Sequence, residues 1–239
     1  YDTTYTLHTY IRYRHQHLGL PTYVLFGDIT LAFPSVFREQ LLVRLHKYGV
    51  PPPLWQHLRA LHHTIKVRVL HGYNAPSTYV EILKGLTEGG RLSPLLWGLY
   101  IADLVHILRQ QFPFISLPHP DLATFLGILL FVDDFCLMAS SPRELLSLMQ
   151  NTQNWCERNR LDLSFAKSKV MVFFESSQQR RQRHNIHWSI RTRFPHPILH
   201  FVAEVSSFHY LGTTLDPRLT FDQHCAVIIR RIWHSHHKL

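Results

Sequence analysis

Cysteine is scarce: Cys136, Cys156 and Cys225 are the whole complement, and no two stand in a CxxC pair. That argues against a disulfide framework or a zinc ribbon and fits a reducing compartment. Long apolar runs are missing as well. No stretch approaches the roughly 20 residues that a membrane-spanning helix needs. The segment Tyr1 to Arg14 is polar and aromatic, where a secretory signal would carry a basic head and an apolar body. Negative charge is the third shortage. Sixteen acidic residues stand against 25 Lys and Arg, a formal net charge of +9, which favours a polyanionic partner, most often nucleic acid, through release of condensed counterions. Histidine, by contrast, is abundant. The group His224, Cys225, His234, His236 and His237 lacks ligands on fixed turns and reads as part of an amphipathic helix rather than a zinc site. The chain opens without Met and reads as a fragment.

What is present suffices for one sizeable core, since 46% of 239 residues are hydrophobic. Thr22 to Phe26 (TYVLF) reads as a buried strand delivering Asp28 at its end. Phe37, Leu41, Leu45 and Tyr48 recur at helical spacing and Gly49 stops them; Pro51 to Pro53 open a second helix. Ile65, Val67 and Val69 then alternate with Lys66 and Arg68, a half-exposed strand for which Tyr79 to Leu83 is the hairpin partner. Ser93-Pro94 starts a helix to about Leu108, with the serine expected as its cap. Ile128 to Val132 and Phe135 to Ala139 form a hairpin with Asp133-Asp134 at its turn. Ser141 and Glu144 make a capping box for a helix to Arg158, Val170 to Phe174 is a strand, and the polar, basic stretch after it reads as an exposed loop. This order predicts an α+β fold with helices on one face of an antiparallel sheet.

The acids are few, which makes their placement informative. Asp133 and Asp134 are adjacent between ILLFV and FCLMA. Burying like charges together costs several kcal/mol (roughly) unless a cation neutralises them or one takes a proton. A divalent cation with oxygen ligands meets that need, and two ions about 3.5–4 Å apart suit phosphoryl displacement. A solvated turn is the plainer reading of the pair. Asp28, on its own, would be a helix cap or a loop residue.

Taken together, five ordered segments resemble the palm motifs of reverse transcriptases of the non-LTR (LINE-type) retrotransposon kind. They are FGDITLAFPSV, GLTEGGRLSPLLWGLYI, LLFVDDFCLMA, LDLSFAKSKVMVF and SFHYLGTTLD, and they span about Tyr23 to Leu215. The resemblance implies a polymerase palm with partial fingers. Asp28, Asp133 and Asp134 would hold two Mg²⁺ ions, with Mn²⁺ as a substitute. An RNA template, a DNA primer and dNTPs would be the partners. Phe33 would be the sugar gate that rejects a 2′-hydroxyl; without the resemblance it reads as a core ring. Glu88, Gly89 and Ser93 would lie at the nucleotide, and Lys167 would protonate the departing pyrophosphate; alone, that lysine is a solvated surface residue. Phe208, Tyr210, Leu211 and Gly212 would form the primer grip. Lys66, Arg68, Arg180, Arg181 and Arg183 would meet the nucleic-acid backbone.

By the same resemblance, residues 1–21 belong to the fingers and 22–175 to the palm, with a fingers part at 51–84. Residues 176–198 form an exposed basic loop or insertion, 199–216 the primer-grip hairpin, and 217–239 the start of a thumb or connector helix. Further fingers, thumb and an endonuclease would sit elsewhere in a parent protein, and priming on nicked chromosomal DNA would place it in the nucleus. Four departures stand against this pattern. Glu88 replaces the usual Gln, Leu31 and Pro34 replace Lys and Asp, and Ser164 replaces Asn. Glu88 brings a negative charge towards the triphosphate, which leaves open a catalytically silent nucleic-acid-binding scaffold as the alternative.

Overall fold

In the computed structural model, every residue is described except 1, 64, 69, 71–76, 88, 114–115, 118–123 and 237–239. Helix α1 (Asp2–Leu18) leads into strand β1 (Thr22–Thr30), which runs on past Asp28 instead of ending there. The continuous apolar run of β1 marks burial on both faces, and Tyr23 to Phe26 are all buried. Helices α2 (Ala32–Ser35), α3 (Arg38–Lys47) and α4 (Pro52–His63) follow, with Gly49 at φ 77° ending the α3 turn. Strands β2 (Ile65–Val67) and β3 (Val80–Ile82) pair antiparallel as the alternation predicts.

Helix α5 (Ser93–Gln111) is succeeded by the short strands β4 (Ser116–Leu117) and β5 (Thr124–Phe125), then by β6 (Ile128–Phe131) and β7 (Asp134–Ala139). Next comes α6 (Pro142–Arg158), whose Ser141 cap accepts a hydrogen bond from the Glu144 amide at 3.2 Å. The Glu144 carboxylate reaches one residue further back than a capping box requires, accepting from the Ser140 amide at 2.6 Å. Leu145, Leu148, Met149, Thr152 and Cys156 put one face of α6 into the core at helical spacing. After β8 (Asp162–Leu163) and β9 (Lys169–Phe173) come α7 (Ser177–Gln182), β10 (Ser189–Thr192), β11 (Ile198–Phe201), β12 (Ala203–Glu204), β13 (Phe208–Tyr210), β14 (Thr213–Leu215) and α8 (Asp222–His236).

The fold is α+β. Its main sheet has the order β12-β9-β1-β7-β6, with β8 on the outer part of β1. Every pairing in it is antiparallel except β12 with β9, so the sheet is mixed at one edge. Helix α6 packs on β1 and β7. The hairpin β13–β14 docks through Phe208 and Tyr210, whose rings lie 4.7 and 5.0 Å from that of Phe26.

Four expectations need correction. The turn of the β6–β7 hairpin is Val132-Asp133, not Asp133-Asp134, because Phe131 pairs with Asp134. Ser93 is the first helical residue of α5 and not its cap; its hydroxyl donates to the Thr87 carbonyl at 2.6 Å and closes the preceding loop. Residues 176–198 are not a bare loop, since α7 carries a full capping box between Ser176 and Gln179 and β10 pairs with β11. Arg183, expected at a nucleic-acid backbone, is buried and ion-paired with Glu175 and Glu204.

Two glycines separate the constraints at work. A Cβ on Gly27 would lie 2.2 Å from Cζ of Phe135, its cross-strand partner, whereas one on Gly98 in α5 meets nothing within 4 Å. Gly27→Ala should destabilise the fold by about 1–3 kcal/mol, and Gly98→Ala should stabilise it by roughly 0.5–1 kcal/mol. Urea unfolding of both variants measures the contrast, and similar values for the two would contradict it.

Candidate active site

Strand register brings the acids together. Asp28 on β1 stands directly opposite Asp134 on β7, and Asp133 occupies the adjoining turn. The Ile29 amide donates to the Asp133 carbonyl at 3.1 Å, which ties the turn to β1. Val132 sits at φ 57°, a left-handed conformation that a β-branched residue resists. Its carbonyl accepts a 2.6 Å hydrogen bond from Nε1 of Trp97 on α5. An indole buried in the second motif therefore pins the strained turn of the third.

The electrostatics follow from this placement. Burial raises the Asp134 carboxyl above its ordinary 3.8, and the nearby Asp133 and Asp28 carboxylates raise it further. Lys167 opposes that rise, and its Nζ donates to Oδ2 of Asp28 at 3.1 Å. The ammonium is 70% exposed against 15% for the Asp28 side chain, so the pair is worth at most about 1 kcal/mol. Its loop is fixed from below. The Ser164 amide donates to the Asp28 carbonyl at 2.9 Å, and the Ser168 hydroxyl and amide both donate to the Ser164 carbonyl.

Around the acids, Phe33 on α2 is half-buried and tilted against Trp97 at 6.1 Å. The Leu86 amide donates to the Phe33 carbonyl at 2.8 Å, so the glycine-bearing loop is anchored next to that ring. Gly89 at φ 74° uses a conformation open to glycine, and nothing would obstruct a Cβ there. Glu88 lies outside the described residues.

The primer-grip candidates divide between inside and outside. Tyr210 is 3% exposed, with burial driving its phenol far up, and Phe208 packs beside it on Phe26. Leu211 and Gly212, at φ 45° and 83°, form the two-residue turn between β13 and β14. Phe208 and Tyr210 thus seat the hairpin, Leu211 packs partly against the core, and Gly212 is the exposed residue of the turn.

A donor set of three carboxylates and no sulfur or imidazole suits hard divalent cations. The opposed Asp28 and Asp134, with Asp133 beside them, fit such an ion in residue type and strand position. Among the described residues, no three His, Cys, Asp or Glu side chains are gathered into a finished metal cage.

Comparison with known proteins gives the family. Residues 3–215 match the family model described as reverse transcriptase (RNA-dependent DNA polymerase). The chain belongs to the reverse transcriptase family. It is 26% identical over 221 residues to the probable RNA-directed DNA polymerase from transposon X-element of Drosophila melanogaster, covering 87% of this chain and 21% of that protein. It is 27% identical over 220 residues to the corresponding protein from transposon BS of the same species, with the same coverage. This reverse transcriptase domain thus spans about a fifth of the length of those relatives. Among solved structures it is similar to apo telomerase from Candida tropicalis, truncated from the C-terminal domain. The TM-score is 0.58 at 13% identity, over 92% of this chain and 38% of that one. Telomerase from Candida albicans, in complex with a fragment of telomeric RNA, gives 0.59 at 10% identity, over 90% and 33% of the two chains. These two likenesses concern the fold. No helix of the described residues is long and apolar enough to cross a membrane.

Sequence reasoning missed Trp97, whose only signal was a large ring one turn into the helix of the second motif, and Gly27, whose small size admits the Phe135 ring. Both shape the turn and strand that carry the three acids without being candidates to bind anything.

The raised Asp134 carboxyl gives a signed prediction. Because its folded pKa exceeds 3.8, the ionised form costs stability, and that cost grows as pH rises through the folded value. In cation-free buffer at pH 7, Asp134→Asn should therefore melt roughly 1–3 °C higher than the parent chain. The gap should close below about pH 4. A lower melting temperature at pH 7 for the variant would contradict the assignment.

Proposed function

We propose that this domain carries out RNA-templated DNA synthesis, joining a dNTP to a primer 3′-hydroxyl as part of a non-LTR retrotransposon protein. The observation that carries this reading is the register of Asp28 against Asp134 with Asp133 at the turn. Asp28 and Asp133 would hold two Mg²⁺ ions, or Mn²⁺, and Asp134 would support them. Once bound, these ions lower the pKa of the primer hydroxyl and neutralise charge building on the departing pyrophosphate.

The chain's own residues do the positioning. Trp97 keeps the Val132 carbonyl in place and so fixes where the Asp133 carboxylate starts. Phe33 presents its half-buried ring beside that turn, where a ribose 2′-hydroxyl would collide with it. Gly89, with open space where a Cβ would stand, would let the triphosphate approach the loop that the Ser93 hydroxyl closes. Lys167 rests on Asp28 at 3.1 Å and becomes available to protonate pyrophosphate once that carboxylate is otherwise engaged. Leu211 and Gly212 at the turn of the β13–β14 hairpin would meet the primer end. A nuclear location and priming on nicked DNA follow from the same reading.

The test uses the full protein containing this domain, with primed RNA template and Mg²⁺. Extension with dNTPs should fall by about 10²–10³-fold or more in Asp133→Ala. Phe33→Val should raise ribonucleotide incorporation on the order of ten- to hundredfold while sparing dNTP use. Lys167→Met should lower the rate of extension with dNTPs while leaving primer binding intact. Failure of the parent protein to extend any primer would favour the silent scaffold instead.

A further inference from the structure

At the end of β1 remote from Asp28 lies a cavity of about 780 Å³, bounded by the end of β9, α7, β11 and the loop after β14. Thr22 pairs with Phe173 there. The cavity therefore lies about six residues along the strand from Asp28, roughly 20 Å at about 3.3 Å per residue. It is separate from the carboxylate end.

Its acids are already engaged. Glu175 and Glu204 each receive two hydrogen bonds from the Arg183 guanidinium, and Glu204 also accepts one from Nε1 of Trp188 at 2.8 Å. What stays open is cationic and aromatic. Arg180 and Arg218, both exposed, line the cavity; neither side chain makes a hydrogen bond or ion pair among the described residues, although Arg180 is near enough to Glu204 to help lower its pKa. Phe201 is 66% exposed, and His187 meets its ring edge-on at 6.4 Å.

That platform is fixed. The Arg191 amide donates to the Gln150 side chain at 2.9 Å, and the Gln150 amide group returns a bond to the Arg191 carbonyl at 2.8 Å. The Arg193 amide donates to Glu157 at 2.7 Å, and His200 stacks on Phe165 at 4.1 Å. The β10–β11 ribbon that carries Phe201 is thus held against α6 before any ligand arrives, which reduces the ordering cost of binding.

We propose that this cavity is a docking site for single-stranded nucleic acid, with phosphates on Arg180 and Arg218 and a base stacked on Phe201. The pairing of groups selects the ligand. An acidic peptide would use the arginines and leave the Phe201 ring in water, and an apolar ligand would do the reverse. A nucleotide chain satisfies both, because each unit carries an anion and a flat π-face. Trp188 and Arg183 form the floor, and neither is available to a ligand.

The test reads binding alone, on the intact chain carrying Asp133→Ala, so its outcome is independent of polymerase activity. A fluorescein-labelled 12-nucleotide oligo(rU) is titrated by anisotropy at several salt concentrations. In a parallel arm, a 4-thiouridine version is photo-crosslinked and the adducts are mapped by mass spectrometry. Arg180→Gln with Arg218→Gln should weaken binding by about tenfold or more and flatten the log–log salt slope by about 1.4. Phe201→Ala should weaken it by roughly tenfold, and crosslinks should fall between residues 184 and 201. Melting curves confirm that these surface variants remain folded. Unchanged affinity and slope, or crosslinks confined to other segments, would overturn the proposal. So would displacement of the oligonucleotide by uridine monophosphate at equal nucleotide concentration, which assigns the cavity to free nucleotides. Equal displacement by a polyglutamate peptide would also overturn it.

Discussion

Two carboxylates face each other across neighbouring strands at the partly buried end of a sheet, and much of the surrounding structure exists to keep them there. Like charges directly opposite on antiparallel strands repel, so nothing in the pair itself favours the register that joins Asp28 to Asp134. The register is imposed from the apolar side. Tyr23 to Phe26 and Phe135 to Ala139 are buried, and the ring of Phe135 occupies the space left by the absent side chain of Gly27. A one-residue slip would drive that ring into a neighbour bearing a Cβ and turn each strand's side chains to the wrong faces. Hydrophobic packing therefore fixes the geometry of the charges, and only the exposed Lys167 ammonium offsets their repulsion.

Most of the frame was legible in the sequence because its signals are local. Gly49 ends α3, Ser141 caps α6, and alternation reveals β2, with β3 following as its partner. The apolar runs around Asp28 and Asp133-Asp134 identified the strands of the site before any geometry was known. The one-residue error in the turn has a physical cause. Without a glycine there, the left-handed position falls on Val132, a residue that disfavours it, and the compensating bond comes from Trp97, 35 residues away. No local pattern announces that.

The segment after β9 was misread for a related reason. A run rich in Gln and Arg looks solvated, yet Ser176 and Gln179 close a complete capping box and Arg183 turns inward between two glutamates. Burial of a guanidinium depends on partners distant in sequence, and Glu204 is 21 residues downstream. Composition reports the charge of such a residue but not whether water can reach it. The same holds for Tyr210: its motif is readable in the sequence, while its place in the core depends on Phe26, far away in the chain.

The seating of the β13–β14 hairpin has a mechanical consequence. Phe208 and Tyr210 rest on Phe26, two positions before Asp28 on the same strand. The turn at Leu211-Gly212 and the acid of β1 are thereby mounted on one aromatic bearing. A displacement of the hairpin pulls on the strand of Asp28, and the spacing between tip and carboxylate behaves as a single gauge set by three packed rings, one pair stacked and one tilted.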